Sequence, residues 1–465
     1  MKYLGHLAIL ALLVAGAGAA PAPDSLVAPA ETDTLAELEI GIFPPEGVRI
    51  PYSYQIAWGD GETLDWTEPL QVSYEAYRRH RYTSLGEFEI RVRLRDSLKQ
   101  VSDWGKPLTV RVTEPRLKWV FPTFDPVVAA PALDENGNVY IGDDTGWLYS
   151  LDSTGILRWG FETDDALFSG AVVQGNRVYV GSLDSNFYCL DRDKGKQAWK
   201  VRLADEAYTP PAVDEKGNAY VGTDGGLVIA VSPKGKVSWR FDTGDEIIGS
   251  PTIGPDGSIF VASDSLYCLD SRGKQRWAFG HAEDEFFLAS PVLDAAGNCY
   301  IGSSEGRVYA VGPDGGLLWN VALPDGDEIM AELAVGPDGV FWFGTDAGYL
   351  YRLDPASGEI RQAYECLDAI SATAAVSDRG TVYFLSDDGY LYALGADGRL
   401  VWRHELAVGG KDTFYTSSPL LGPDGTVYVG SWDGGLYAFR GDGPPARSFW
   451  PQFRRDARNT GRLNR

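Results

Sequence analysis

The chain has 465 residues, with 65 acidic side chains against 41 basic ones and a formal net charge of −24. That balance repels phosphate and excludes nucleic acid as a partner. Four Cys without a CxxC pair, and only His80, His281 and His404 beyond the first 20 residues, leave zinc and haem chemistry almost no ligands, so no metal site and no catalytic residue is assigned.

Residues 1–20 read as an export signal: Lys2, an apolar run from Leu7 to Val14, and the small-residue exit Ala17-Gly18-Ala19. The run is too short for a permanent membrane anchor, and no other stretch is apolar over about 18 residues. An extracytoplasmic protein is therefore expected, secreted, periplasmic or at the cell surface, with no membrane span. No Cys lies near the cleavage region, which speaks against a lipoprotein. Residues 21–33, rich in Pro and Ala, are expected to be a flexible linker.

Residues 34–113 predict a separate β-rich unit, in which the alternation Phe88, Ile90, Val92, Leu94 marks a strand with one buried face. The unit carries Trp58-Gly59-Asp60-Gly61, then His80-Arg81-Tyr82 and Gly86-Glu87-Phe88. On these residues it resembles a PKD-type Ig-like domain, with the turn shortened and Phe88 in place of the usual Tyr. The resemblance implies a β-sandwich that serves as spacer or adhesion module, with Asp60 shaping the turn.

From residue 114 to 440 a segment of about 41 residues recurs, and such a period signals a propeller or solenoid. Its anchor, two small or apolar residues ending in an aromatic, appears at Val139-Tyr140, Val178-Tyr179, Ala219-Tyr220, Ile259-Phe260, Cys299-Tyr300, Phe341-Trp342, Val382-Tyr383 and Val427-Tyr428. Turn pairs such as Asn136-Gly137 and Asp256-Gly257 join the apolar runs, as tight hairpins require. A Trp follows each later Gly turn, at Trp159, Trp199, Trp239, Trp277, Trp319 and Trp402, with Gln362 in its place in the sixth copy. Each unit thus reads as a four-stranded blade. The array starts out of phase, because strand 116–121 with Trp119 has no blade before it while the last copy lacks its outer strand. Pairing the two closes an eight-bladed ring and removes the open edges. Cys189 and Cys268 fall two blades apart, too far for a disulfide, so buried free thiols are expected. The fold class is all-β: an eight-bladed β-propeller preceded by an Ig-like (PKD-type) β-sandwich.

The copies, most clearly Ser418-Pro419 through Tyr437-Ala438, resemble the PQQ-type (quinoprotein-like) propeller family. The resemblance implies that the Trp residues dock one blade on the next. One branch of that family is the quinoprotein dehydrogenases, which hold PQQ and Ca²⁺ over the propeller axis; another is a non-catalytic outer-membrane assembly lipoprotein. This chain lacks the adjacent Cys pair of the alcohol-oxidising enzymes and their long insertions, and shows no converging His, Lys or Arg cluster.

Every junction from an outer strand to the next inner strand carries acid: Asp125; Asp164 and Asp165; Asp205 and Glu206; Asp245 and Glu246; Glu283, Asp284 and Glu285; Asp325, Asp327 and Glu328; Asp368; Asp412. In an up-and-down blade these junctions share one face with the second hairpin, itself acidic, and Lys411 is the one clear base there. Asp165, Glu206, Glu246, Asp284, Glu285, Asp327, Glu328 and Asp368 are the candidate binding residues, and a basic peptide or protein, or Ca²⁺, is the expected class of partner. The expected protein is a monomeric, exported, non-enzymatic binding scaffold without a cofactor. A PQQ-dependent dehydrogenase with PQQ and Ca²⁺ is one alternative, and an adhesin or glycan binder using Trp147 and Trp432 is another. Residues 441–465 form a basic, aromatic tail expected to dock through Trp450 and Phe453 on the propeller's side or rim.

Overall fold

The structure, a computed structural model, describes residues 25–27, 31–33, 38–43, 52–69, 76–280, 285–324, 326–406 and 417–463. The expected export signal lies outside the described residues, as do Asp284 and Lys411. All elements among the described residues are strands. The chain divides into two compact units, residues 1–116 with 400–404, and residues 117–399 with 405–465.

In the first unit, a three-stranded sheet (Ser25–Val27, Leu38–Phe43, Ala76–His80) and a five-stranded sheet share one apolar core. The larger sheet runs Glu31–Asp33, Leu108–Thr113, Gly86–Arg95, Ser53–Ala57, Thr63–Leu64. Ile40 and Ile42 of the first meet Ile56, Ile90, Val92 and Leu94 of the second, the alternating positions of strands with one buried face. The expected linker at 21–33 is corrected in part: Ser25–Val27 pairs antiparallel with Leu38–Phe43, and Glu31–Asp33 runs parallel to Leu108–Thr113. Its composition suggested a loose chain, but two strand edges offered unpaired N–H and C=O groups that these residues satisfy. At the Trp58-Gly59-Asp60-Gly61 turn, Asp60 accepts from the Glu62 N–H (3.0 Å) and lies 2.7 Å from His80 Nε2. Trp58 stacks on that imidazole at 4.5 Å.

The second unit is built from antiparallel sheets numbered here in chain order: first (132–162), second (172–202), third (212–242), fourth (252–279), fifth (292–322), sixth (334–365), seventh (375–394) and eighth (420–440), each of four strands except the seventh, of which this unit holds three. The eighth takes its outer strand from Leu117–Pro122, with Trp119 opposite Ala438. Within each sheet the inner strand is short, the second and third are almost wholly buried, and the outer is half-exposed. Buried clusters join neighbours: Tyr140 and Leu148 of the first sheet pack with Val178 and Tyr188 of the second.

In most sheets the pairing of third and outer strands slips by one residue just before the Trp, between Ser150 and Leu151 in the first and between Ala230 and Val231 in the third. Such a bulge sharpens the local twist, and it leaves the indole facing the neighbouring sheet. In the sixth sheet the slip moves to between Leu350 and Tyr351. Arg361 then stands opposite Arg352, and Gln362, expected at the Trp site, faces Tyr351 and is exposed. With no indole to present, the bulge sits elsewhere.

Candidate functional site

The indoles supply the joints. Trp119, Trp159, Trp199, Trp239 and Trp277 donate their Nε1–H to Ser153, Arg192, Pro233, Ser271 and Pro313 carbonyls at 2.9 to 3.2 Å, each on the following sheet's last turn. A glycine of that turn lies against each ring, so that a Cβ on Gly195 would come within 2.6 Å of Trp159. Trp319 packs half-buried against the core of the fourth to sixth sheets, and Trp402 is buried.

The junction turns and the hairpins between second and third strands lie together. Asp144 N–H donates to Pro126 O (3.0 Å), Asp224 N–H to Glu206 O (3.1 Å) and Asp346 N–H to Glu328 O (3.2 Å). Carboxylates of junction and hairpin are thereby crowded. Burial first, then Asp125, Asp143 and Asp165, holds Asp144 above the usual carboxylate range. Asp224 is raised by burial, then Asp205 and Glu206; Glu246 by burial, then Asp224 and Asp245; Glu328 by burial, then Asp346 and Asp327.

The eight candidate acids have different fates. Asp165, Glu246 and Asp368 are exposed, and Asp165 and Asp368 also accept from the next backbone N–H at 2.8 and 3.0 Å. Glu206, Asp327 and Glu328 are half-buried; Glu206 accepts from Tyr208 OH (2.5 Å) and Asp327 from Ala347 N–H (2.8 Å). Glu285, expected on the surface, is only 5% exposed and accepts from Ser303 Oγ (2.6 Å) and Tyr309 OH (2.8 Å). A buried tyrosine hydroxyl needs an acceptor, and in other sheets a hairpin Asp provides it, as Asp143 does for Tyr149 (2.9 Å) and Asp388 for Tyr392 (2.7 Å). In the fifth sheet Glu285 takes that task.

Sequence reasoning missed four residues of this face. Phe124 and Leu367, on junction turns, are 80% and 89% exposed. The Arg202 guanidinium donates to Asp184 O, and Arg307 donates to Asn320 Oδ1 (3.2 Å), so two more cations stand among the acids. An apolar residue inside an acidic turn was the available signal for Phe124 and Leu367.

The axis holds a pocket of about 120 Å³, lined by residues that precede the inner strands, among them Phe168, Tyr208, Thr209, Ser290 and Glu332, and by Phe453. That volume suits roughly four waters. Glu332 is 2% exposed; Oε1 accepts from Trp450 Nε1 and Oε2 from Arg454 N–H (3.3 Å). Burial pushes its carboxyl up to about 7 against the pull of Arg454. No Lys or Arg is among the residues that line the pocket to meet the carboxylates of a tricyclic quinone. Among the described residues no group of three His, Cys, Asp or Glu is placed to hold a metal ion. Trp450 and Arg454 are fully buried, so the tail docks in the axis and not on the side or rim. Its sequence displayed the apolar anchors but not the seven strands they meet.

Sheets of this pattern, joined by indoles, define a β-propeller of PQQ-type repeats. The chain belongs to the family described as outer membrane protein assembly factor BamB, whose profile matches residues 103–210, 144–277, 187–335 and 304–443. It is similar to outer membrane protein assembly factor BamB of Escherichia coli K12, 35% identical over 94 residues, or 18% of this chain and 24% of that protein. It is also similar to serine/threonine-protein kinase AfsK of Streptomyces griseus, 29% identical over 123 residues, 24% of this chain and 15% of the kinase. The match thus spans between 15% and 24% of these two relatives' own lengths. Among solved structures, BamB from Moraxella catarrhalis aligns with a TM-score of 0.59 at 14% identity, over 70% of this chain and 99% of that one. A europium-containing methanol dehydrogenase aligns with a TM-score of 0.59 at 15% identity, over 70% and 93%. At such identities the likeness is one of fold. No helix among the described residues is long and apolar enough to cross a membrane.

Proposed function

We propose that this protein is an extracytoplasmic, non-enzymatic scaffold: a PKD-like sandwich and an eight-bladed propeller that binds a basic protein surface on the face of its junction turns. The observation that carries the reading is the crowding of Asp144, Asp224, Glu246 and Glu328, all held above the usual carboxylate range by burial and neighbouring acids. Like charges kept this close cost self-repulsion, which a cationic partner would relieve. Phe124 and Leu367 give the same face the apolar contacts that the core of an interface needs. Family membership supports the scaffold role, since the matching family and its Escherichia coli relative are named as an assembly factor. A quinoprotein would need cations to meet the cofactor's carboxylates, and none is among the residues lining the axial pocket, so the reading proposed here assigns no cofactor.

The test is capture of partners from the native envelope with immobilised protein. Asp165→Lys with Glu246→Lys, and separately Phe124→Ser with Leu367→Ser, are expected to lose the captured protein. Lys194→Glu with Lys236→Glu, on the turns between third and outer strands, should retain it. Equal capture by all three pairs would remove the junction face from consideration.

A further inference from the structure

The segment after the eighth sheet belongs to no sheet, yet it meets nearly all of them. Trp450 O accepts from Val335 N–H (2.6 Å), Pro451 O from Val376 (2.8 Å), Gln452 Oε1 from Leu421 (2.9 Å) and Ala457 O from Leu133 (2.5 Å). Arg458 O accepts from Val173 (3.0 Å), Thr460 O from Val213 (3.2 Å) and Gly461 O from Ile253 (2.8 Å). Each donor is the second residue of an inner strand, and the order is sixth, seventh, eighth, first, second, third, fourth. The fifth sheet is met by packing: Val292 and Leu293 share a buried cluster with Trp450 and Leu463.

The donors explain why the segment stays. An inner strand pairs with a neighbour on one side only, so its other edge carries backbone groups that must find partners when buried. The pocket-lining residues precede the inner strands and the donors lie further along them, so the segment fills the axis beyond the pocket, with Phe453 as the pocket's floor. Side chains add selectivity. Asn459 Nδ2 donates to Pro131 O (2.9 Å) and Ala171 O (3.2 Å), and Arg454 Nη2 to Pro211 O (3.4 Å). Gly461 has φ +56°, and a Cβ there would fall on the Arg454 guanidinium.

The conformation itself is imposed from outside. Arg454 and Arg455 have φ of 52° and 72°, and Asn459 has 56°. Consecutive non-glycine residues in the left-handed region are unfavourable by themselves and persist only where surroundings over-determine them. The surroundings here are the ring.

We propose that the axis of the ring is a peptide-binding site, occupied in cis by residues 448–463 of this chain, which clasp the seam between the eighth and first sheets. The contacts are those a separate peptide makes with strand edges: backbone hydrogen bonds for affinity and a few pockets for specificity. None depends on the covalent link through residues 441–447. The segment crosses the seam between Gln452, bound to the eighth sheet, and Ala457, bound to the first. The ligand class is therefore a short peptide with the Trp450, Arg454, Asn459 and Gly461 spacing of this chain.

The test uses the chain ending at Gly443 and a synthetic peptide of residues 444–463. The shortened ring is expected to melt below the full chain, to bind the peptide and to recover its melting temperature on binding. Trp450→Ala or Asn459→Ala in the peptide should weaken binding at least tenfold. A shortened ring that melts like the parent and binds no peptide would overturn the proposal. Should the shortened chain not fold, the full chain carrying a protease site between Gly443 and Pro444 is cleaved after folding. The fragment should then co-elute with the ring on gel filtration; prompt separation with an unchanged melting temperature would count against the site. A dimer in which two copies exchange tails supports it, because the axis then holds the same peptide from another chain.

Discussion

At the scale of single residues, the joints between sheets rest on glycine beside indole. Gly195 and Gly175 both have positive φ, 65° and 58°, yet a Cβ on Gly195 meets Trp159 at 2.6 Å while one on Gly175 meets nothing within 4 Å. Both alanine variants strain the backbone by about 1 kcal/mol, and Gly195→Ala must also displace the indole. Urea unfolding should therefore show Gly195→Ala about 2 kcal/mol or more below the parent and Gly175→Ala about 1 kcal/mol below; equal losses would mean the indole moves freely. A second residue-scale expectation concerns Glu332. Its folded value of about 7 lies above the ordinary 4.5. A raised carboxyl contributes stability that is complete below about pH 4.5 and is lost as pH rises through 7. The difference amounts to on the order of 3 kcal/mol. Trp450 fluorescence should report loosening of the axial segment between pH 5 and 8, with Arg454 and Asp456 the charged groups nearby. Glu332→Gln should flatten that profile, and an unchanged profile would assign the transition to another group.

At the scale of elements, the sixth sheet is the irregular one. Its outer strand, Glu359–Glu365, lacks the indole and carries its bulge at a different place from the other joints, and Gln362 is exposed. Weakly packed strands open first, so amide exchange should be faster over residues 359–365 than over 157–162 or 237–242. Uniform protection would show that Arg361 and Gln362 hold the joint as well as a Trp does. The strands were legible in the sequence because their signals are local: a turn pair, an apolar run, a Trp four residues past a Gly. The displaced bulge was not, since counting from Gly358 reaches Gln362 while backbone pairing puts Arg361 opposite Arg352. Glu285 was misread for a similar reason. Its partner Tyr309 lies 24 residues away, and only the folded sheet shows that this carboxylate is consumed internally. The site was legible as a run of acids at the junctions, whereas Phe124 and Leu367 gained meaning only once their exposure was known. The axial segment depends on seven inner strands at once, which no window of sequence displays.

At the scale of the whole molecule, the chain carries a net charge of −24, and carboxylates at the junction turns raise one another, as Asp224 and Asp245 raise Glu246. Raising salt from about 0.01 M to about 1 M shortens the Debye length from about 30 Å to about 3 Å. The melting temperature should rise over that range, and a fall would indicate that attractive pairs outweigh the crowding.

The axial segment also works as a gauge. Its acceptors are spaced so that successive ones reach successive inner strands, from Trp450 at the sixth sheet to Gly461 at the fourth. Repeat arrays grow and shrink readily, since each unit needs only its neighbours. Here a gained or lost unit would leave Ala457, Arg458, Thr460 and Gly461 opposite the wrong strands, and the indole of Trp450 away from Glu332. A single short stretch outside the array thereby fixes how many units the array can hold, and couples the history of the repeats to the history of the tail.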